Sequence, residues 1–573
     1  MHPLIRFLAA LAAALVCAGP GGAAAGSSGA RSGGSGPVHA NGRIALVPLD
    51  DRPVSLHYPA MVAAVADAEV VTPPRGVLGR FLKTGDGDAV ARWLDAVDVS
   101  AVDAVVVSAD MLAYGGLVGS RVARVFEADA RRRIDAVAGL KQRRPALPVF
   151  VFSTIMRLAP TADGGNQAWR EAIARWAQIA PQAASDPSLA AEAARLEAAL
   201  PAGMLDRYRA ARARNLAINL RLVELAAHGA VDLLVFGQDD AGPAGVHVSD
   251  RQAIAAAIGA AGVSARAVVQ TGADELASLL VVRALLARGG QRPAVHVTYS
   301  SEAHRDVVMP FEDRPLGQTI SALVATSGAA AADTPRPDTV RLFVYASRHD
   351  APGAADGFAA LVSKAASAGR RVAVADIDTR GDVQGSSLPF VEALRAHKVL
   401  PRLSGYASWN TAGNTVGLAL AHGLAAALAG DTIAAADAAR RASAAHLHAL
   451  MLRLTNDFLY QGVVRAQVND DVVRARGLDP MLLDDRGRAR VEATIQQELR
   501  PLAESLLADF AAQAWRLPGT GGRRPFEGLL VGDLERFDVS LPWSRLFEAD
   551  IRLEIGLAAE SQRPRAPRPR VLR

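Results

Sequence analysis

The feature that most constrains this chain is a recurring unit: a short apolar run rich in Val, Ile and Phe, closed by polar or acidic residues and followed by a stretch able to form a helix. Eight such runs stand at residues 44–49, 104–108, 149–153, 233–236, 267–270, 295–299, 342–345 and 372–375. A shorter one at 69–72 lies between the first two, and 403–409 has the composition of another. Runs this continuously apolar suit strands buried on both faces, and strands alternating with helices build a parallel sheet. The count predicts an α/β fold with a (β/α)8 barrel-like parallel sheet. The rival arrangement is an open doubly wound sheet, or two of them, divided in the Ala/Thr/Pro stretch 329–337. No Gly-x-Gly-x-x-Gly follows the first run and no Walker loop occurs, so a nucleotide-binding sheet lacks its best signature.

Composition supports that class and excludes others. Half of the 573 residues are hydrophobic and only 5% are aromatic, which excludes disorder for most of the chain and disfavours an all-β sandwich. The net charge of +5 suggests a polyanion partner until the surplus is located. Arg563, Arg565, Arg568, Arg570 and Arg573 account for all of it, in a Pro-rich tail without acids. The neutral remainder has no footprint for nucleic acid.

Residues 1–25 read as an export signal, with Arg6 before an apolar run and an Ala-x-Ala site at Ala23 to Ala25. The run is too short to span a bilayer, so no transmembrane span is expected in the mature chain. The only cysteine, Cys17, lies inside this segment, and cleavage would leave neither thiol nor disulfide. Alternatively, Ala14-Leu15-Val16-Cys17 serves as a lipoprotein acylation box, with the Gly/Ser-rich linker 26–42 as tether. An α/β catalytic domain is expected over 43–430, interrupted by a helical insertion at 167–228 that carries Trp169, Trp176 and Tyr208. A C-terminal helical region with a small β-containing cap follows at 431–557, and 558–573 form the Arg/Pro tail.

In parallel α/β architectures functional groups collect where strands end, and here those positions are unusually acidic. Asp50-Asp51-Arg52-Pro53 follows the first run, Asp110 and Tyr114 the second, Arg157 the third, and Gln238-Asp239-Asp240 the fourth. Tyr299 closes the sixth. Where the backbone turns, two neighbouring carboxylates can reach one site, and unlike surroundings can leave one ionised and the other protonated. That division serves glycosidic bond cleavage. Adjacent acids fit best the substrate-assisted form, in which the substrate's 2-acetamido oxygen attacks the anomeric carbon. The competing reading of Asp239 and Asp240 is a helix cap and an ion pair with a nearby arginine.

Two further groups are candidates for substrate binding. In the first, Arg52 neutralises one acid while Asp50 or Asp51 accepts hydrogen bonds from sugar hydroxyls. In the second, Trp409-Asn410-Thr411-Ala412-Gly413-Asn414, Trp409 offers an aromatic face while Asn410 and Asn414 fall one helical turn apart. This density of uncharged donors and acceptors suits neutral sugars. The competing reading is a helix cap beside a buried Trp.

Two resemblances attach to these residues. The segment Leu233-Leu234-Val235-Phe236-Gly237-Gln238-Asp239-Asp240 resembles the paired-acid motif of barrel N-acetylhexosaminidases. It implies acetamido polarisation by Asp239 and general acid/base work by Asp240. Pro48 to Pro53, Asp110 to Leu117 and Trp409 to Asn414 together resemble a family of exported bacterial proteins grouped as a domain of unknown function, number 4127. That grouping implies no activity.

The expectation is an exported glycoside hydrolase acting on β-linked N-acetylhexosamine, without cofactor or metal. A non-catalytic binder of sugars or cell-wall fragments is one alternative. A metal-dependent hydrolase is the other, although His-Glu-x-x-His is absent. The serine nucleophile elbow Gly-x-Ser-x-Gly is absent too.

Overall fold

Every apolar run forms a strand, and these strands pair in parallel. The first six are β1 (Arg43–Val47), β2 (Glu69–Val71), β3 (Ala104–Ser108), β4 (Val149–Ile155), β5 (Leu233–Gln238) and β6 (Ala267–Thr271), in the sheet order β2-β1-β3-β4-β5-β6. The next five are β7 (Ala294–Tyr299), β8 (Ala330–Ala331), β9 (Val340–Tyr345), β10 (Arg371–Asp376) and β11 (Gly405–Ala407), ordered β11-β10-β9-β7-β8. These assignments come from a computed structural model that describes residues 39, 41–381, 384–518 and 528–560. The expected export signal with Cys17 and the Arg/Pro tail beyond residue 560 lie outside the described residues, as does nearly all of the linker.

The parallel α/β class is thus present, but among the described residues the strands form two open sheets rather than one closed ring. The division falls between β6 and β7. The 329–337 stretch, where a break was expected, supplies the edge strand β8 instead. The reason is legible in two helices. Leu276–Arg288 buries ten of its thirteen residues, and Ala412–Thr432 is buried from Ala412 through Gly430. The outer helices of a barrel need a polar face, whereas a helix apolar all round must be covered on every side. These two pack on each other, Leu276–Arg288 against β1, β3 and β4, Ala412–Thr432 against β9, β10 and β11, and one hydrophobic core spans both sheets. Ala412–Thr432 is long and apolar enough to cross a membrane, but its apolar window lies wholly inside the protein.

Each sheet starts at an internal strand, sends its second strand to one edge and then grows on the other side. The same winding therefore occurs twice, with a reversal between β1 and β3 and another between β7 and β9. Such reversals open crevices at the carboxyl ends of the strands. The 167–228 insertion comprises helices Gln167–Ala183, Pro187–Ala199 and Met204–Ala227. Trp176 meets Tyr208 edge-on at 6.5 Å inside it and Trp169 packs on the same cluster, so these aromatics hold the insertion together.

The C-terminal region is helical as expected, with a buried π-helical segment at Leu454–Val464. The strands expected in the cap belong to an antiparallel hairpin, β12 (Leu529–Ser540) and β13 (Asp550–Ala559). Its connecting loop is pinned across the strand ends of the first sheet. Arg80 Nε donates to Pro542 O at 2.7 Å, Tyr460 Oη to Leu546 O at 2.5 Å and Gln461 Nε2 to Phe547 O at 2.7 Å.

Candidate functional site

Beneath this loop lies a crevice of about 740 Å³, lined from both sheets, the π-helical segment and the cap. Its size is that of a small-molecule site. Of the residues singled out by sequence, Arg52, Arg157, Gln238, Asp239, Asp240, Asn410 and Asn414 line it. Asp50, Asp51, Asp110, Tyr114, Tyr299 and Trp409 do not.

The residues after β1 form the crevice floor by dividing their work. Arg52 gives one edge of its guanidinium to Asp50, with contacts of 2.7–3.0 Å, and another to Asp274 after β6, at 2.7 and 3.2 Å. All three are buried, so the bridge ties the ends of β1 and β6 together. Asp51 accepts from the indole of the cap's Trp543 at 2.8 Å. Asp50 and Asp51 therefore serve the scaffold, with no carboxylate left to grip sugar hydroxyls.

Asp239 and Asp240 both face the crevice, each against its own arginine. Arg121 Nη2 meets Asp239 Oδ2 at 2.5 Å, and Arg157 Nη1 meets Asp240 Oδ2 at 2.7 Å. This corrects the adjacent-acid scheme. A carboxylate bonded to a guanidinium accepts hydrogen bonds, so Asp240 is not the proton donor that the hexosaminidase resemblance implies. It stands ion-paired at the crevice wall, with 31% of its side chain exposed.

Other expected contacts turn inward. Asp110 is buried and accepts from Thr154 N at 2.9 Å and Thr154 Oγ1 at 2.7 Å, locking β3 to β4. Burial pushes its carboxyl up to about 6, against the lowering by Thr154. Tyr114 is buried under the guanidinium of Arg214 at 4.2 Å. Tyr299 closes β7 half-buried, away from the crevice. Trp409 is 3% exposed, donates its indole N–H to Asp274 Oδ2 at 3.2 Å and packs edge-on to Phe547 at 5.6 Å, so no sugar can stack on it. Thr411 is the residue that caps helix Ala412–Thr432, leaving Asn410 and Asn414 for the crevice. Asn410 adopts a left-handed φ of 56°, which Asn tolerates through its short polar side chain.

Several lining residues escaped sequence reasoning. Glu312 and Phe311 lie in an irregular loop that no motif marks, and Gln461, Arg465, Trp543, Arg545 and Phe547 come from the C-terminal region. Phe311, at φ 65° and 51% exposed, presents an open aromatic face. Glu312 is buried, accepts from Gly413 N and from Thr319 Oγ1 at 3.0 Å, and burial pushes it up to about 7. Its neighbour Glu275 is fully buried behind the crevice, and burial raises it to about 8. A backbone hydrogen bond from Ala241 N to Phe311 O, at 2.9 Å, clamps the Asp240 and Glu312 segments side by side.

Electrostatically, the expected neutral-sugar pocket is something else. Seven arginines (52, 121, 157, 170, 465, 474 and 545) line the crevice beside four acids, Asp239, Asp240, Asp274 and Glu312. The sequence also contains one His-x-His, at His446-Leu447-His448, but its rings diverge. His446 meets His422 and the Leu403 carbonyl, and His448 meets the Leu553 carbonyl. Among the described residues no group of three or more His, Cys, Asp or Glu side chains is arranged to hold a metal ion.

The profile of a family described as proteins of unknown function, DUF4127, matches residues 44–552, which takes in both sheets, the insertion and most of the cap. No curated protein and no solved structure matches the chain.

Proposed function

The chain belongs to the DUF4127 family, a membership that names no reaction, and from the chemistry of its crevice we propose that it is a glycoside hydrolase. One observation carries the reading: Asp240 and Glu312, on clamped neighbouring segments, line one crevice in opposite environments. Asp240 is ion-paired with Arg157, while burial pushes Glu312 up to about 7. A buried acid raised in this way, beside a second carboxyl in a different setting, forms an acid/base pair. Glu312 gives its proton to the glycosidic oxygen as the bond to the anomeric carbon breaks. On the other side a water bonds to the anomeric carbon and gives its proton to Asp240, so that one C–O bond forms as the other breaks. Asp239 and Arg121 position that wall.

The rest of the lining suits a polyhydroxylated ligand. The side-chain carbonyl oxygens of Gln238, Asn414 and Gln461 are buried without a protein partner among the described residues, so each is an acceptor for a ligand hydroxyl. Phe311 offers a face for stacking. Export, expected from residues 1–25, fits a glycan outside the cytoplasm.

The test is a screen of chromogenic 2-acetamido, 2-hydroxy and uronate glycosides, followed by two variants. Asp240→Asn and Glu312→Gln are each expected to lower kcat by about 10³-fold or more, and an activated leaving group should rescue only Glu312→Gln. The alkaline limb of the rate profile near pH 7 should vanish with Glu312. Cleavage of no glycoside by the folded protein, or full turnover in Asp240→Asn, overturns the reading.

One observation favours a second reading, a non-catalytic carbohydrate binder: both Glu312 oxygens are already engaged within the protein. A binder should show changed affinity in both variants and no turnover in the parent.

A further inference from the structure

The arginines of the crevice differ in how they are neutralised. Arg52, Arg121, Arg157, Arg474 and Arg545 each hold a carboxylate, from Asp50 and Asp274, Asp239, Asp240, Asp470 and Glu548 respectively. Among the described residues Arg170 and Arg465 hold none: Arg170 gives its Nε to the Pro160 carbonyl at 3.0 Å, and the one side-chain hydrogen bond of Arg465 is a 3.4 Å contact from Nη1 to the amide oxygen of Gln384. The Arg465 guanidinium lies 5.4 Å over the ring of Phe547.

A guanidinium has five N–H donors, and desolvating it without an anion costs energy that neither a long amide contact nor a ring face repays in full. The fold accepts that cost at the mouth of the functional crevice. Burial draws Arg465 below the usual arginine value, with Tyr460 and Glu548 acting against it. One helical turn earlier, Gln461 lines the same wall with its amide oxygen unpartnered. A planar fork beside a lone hydroxyl acceptor, with an aromatic ring below, matches a sugar ring that carries a carboxylate next to a hydroxyl.

We propose that the crevice takes an acidic saccharide, its carboxylate held by Arg465 and a neighbouring hydroxyl by Gln461. The saccharide part of this assignment rests on the glycoside reading above; the anion part rests on Arg465, one of two lining arginines that hold no carboxylate among the described residues.

The experiment measures binding by calorimetry at low salt, on the full chain carrying Asp240→Asn to prevent turnover. The probes are a tetrasaccharide alternating glucuronate and N-acetylglucosamine, the same tetrasaccharide with its carboxylates reduced to alcohols, and inorganic phosphate. The acidic tetrasaccharide should bind at least tenfold more tightly than its reduced form, and Arg465→Gln should erase that difference while leaving the reduced form within about twofold. Arg465→Lys should restore part of it, since a point charge attracts without the bidentate fork. Equal affinity for the two tetrasaccharides, or a preference that survives Arg465→Gln, overturns the assignment. Phosphate binding as tightly as the acidic tetrasaccharide, with both lost in Arg465→Gln, overturns the saccharide half and the glycoside reading with it, while the anion site stands. A chain that binds the acidic tetrasaccharide through Arg465 but cleaves no glycoside keeps the assignment and overturns hydrolysis alone.

Discussion

The two sheets share one winding yet present strand ends of different chemistry to the crevice. After β1, β4, β5 and β6 the first sheet turns Arg52, Arg157, Asp239, Asp240 and Asp274 into the crevice. After β10 the second sheet carries acids as well, but they are spent on structure. Asp376 meets Arg348 at 3.3 Å, the backbone N–H of Ser387 at 2.7 Å and the Tyr406 hydroxyl at 3.4 Å, while Asp378 meets His349 at 2.6 Å. What the β10 and β11 ends of the second sheet offer the crevice is neutral, Gln384, Asn410, Thr411 and Asn414, and the second sheet's one lining acid among the described residues is Glu312, in the loop after β7. A winding places acids at strand ends, and the loop that crosses them decides which acids face the crevice. The cap crosses the first sheet's strand ends, and three of the four lining acids, Asp239, Asp240 and Asp274, stand there.

The sharpest way to break this comparison is to neutralise one strand-end acid in each sheet. Against the thousandfold loss expected for Asp240→Asn, Asp376→Asn should leave turnover per folded molecule unchanged and lower the melting temperature, because it removes one of the two carboxylates that Arg348 holds, a loss of about 1–3 kcal/mol. Thermal melts beside active-site-normalised kinetics read both. An Asp376→Asn chain that folds normally and does not turn over would put the second sheet's edge into the chemistry.

A second test uses the carboxyls at the seam between the sheets. Glu275 and Glu312 are raised in the folded chain to about 8 and about 7. Between the unfolded value near 4.5 and those values the folded chain holds protons that the unfolded chain has lost. Stability from these groups is therefore full below about pH 4.5 and falls as pH rises through 7 and 8. The buried pair His422 and His446 gives the opposite limb: burial lowers both, His446 to about 4, and their contribution is lost as pH falls below about 6.5. Glu275→Gln should flatten the alkaline fall of the melting temperature by several degrees between pH 6 and 9 and leave the acid limb intact. An unchanged alkaline slope would mean that Glu275 is ionised in the folded protein.

Much of this architecture was legible because burial on both faces writes itself as unbroken Val, Ile and Phe. The runs at 44–49 and 372–375 became β1 and β10 for that reason. The closed ring was not to be had from strand count, since the decisive signal lay in the helices: the segment at 276–288 has no polar stripe and needs cover on two sides. In the site, position was readable and role was not. Asp239 and Asp240 stand at a crevice, but Arg121, 118 residues earlier in the chain, determines what Asp239 does. Glu312 and Arg465 carry no local signature, because their importance comes from burial and from the absence of a partner, properties that exist only in three dimensions.

The smallest expected effect concerns a side chain that joins the strand ends of the two sheets directly. Trp409, after β11, donates its indole N–H to Asp274, after β6, and Asp274 also receives Arg52. Trp409→Phe keeps a ring against Phe547 and removes only that donor, which costs about 1 kcal/mol. If the second sheet merely covers the first, the change should appear as a drop of a few degrees in melting temperature with kcat and KM untouched. If it tunes the Arg52–Asp274 bridge in the crevice floor, KM should rise two- to fivefold at constant kcat, because the ligand-facing guanidinium loses its fixed orientation. Steady-state kinetics at a temperature well below the melt separates the two. A tenfold or larger loss in kcat would show that the neutral edge takes part in the transition state, and the division of labour drawn between the sheets would fail.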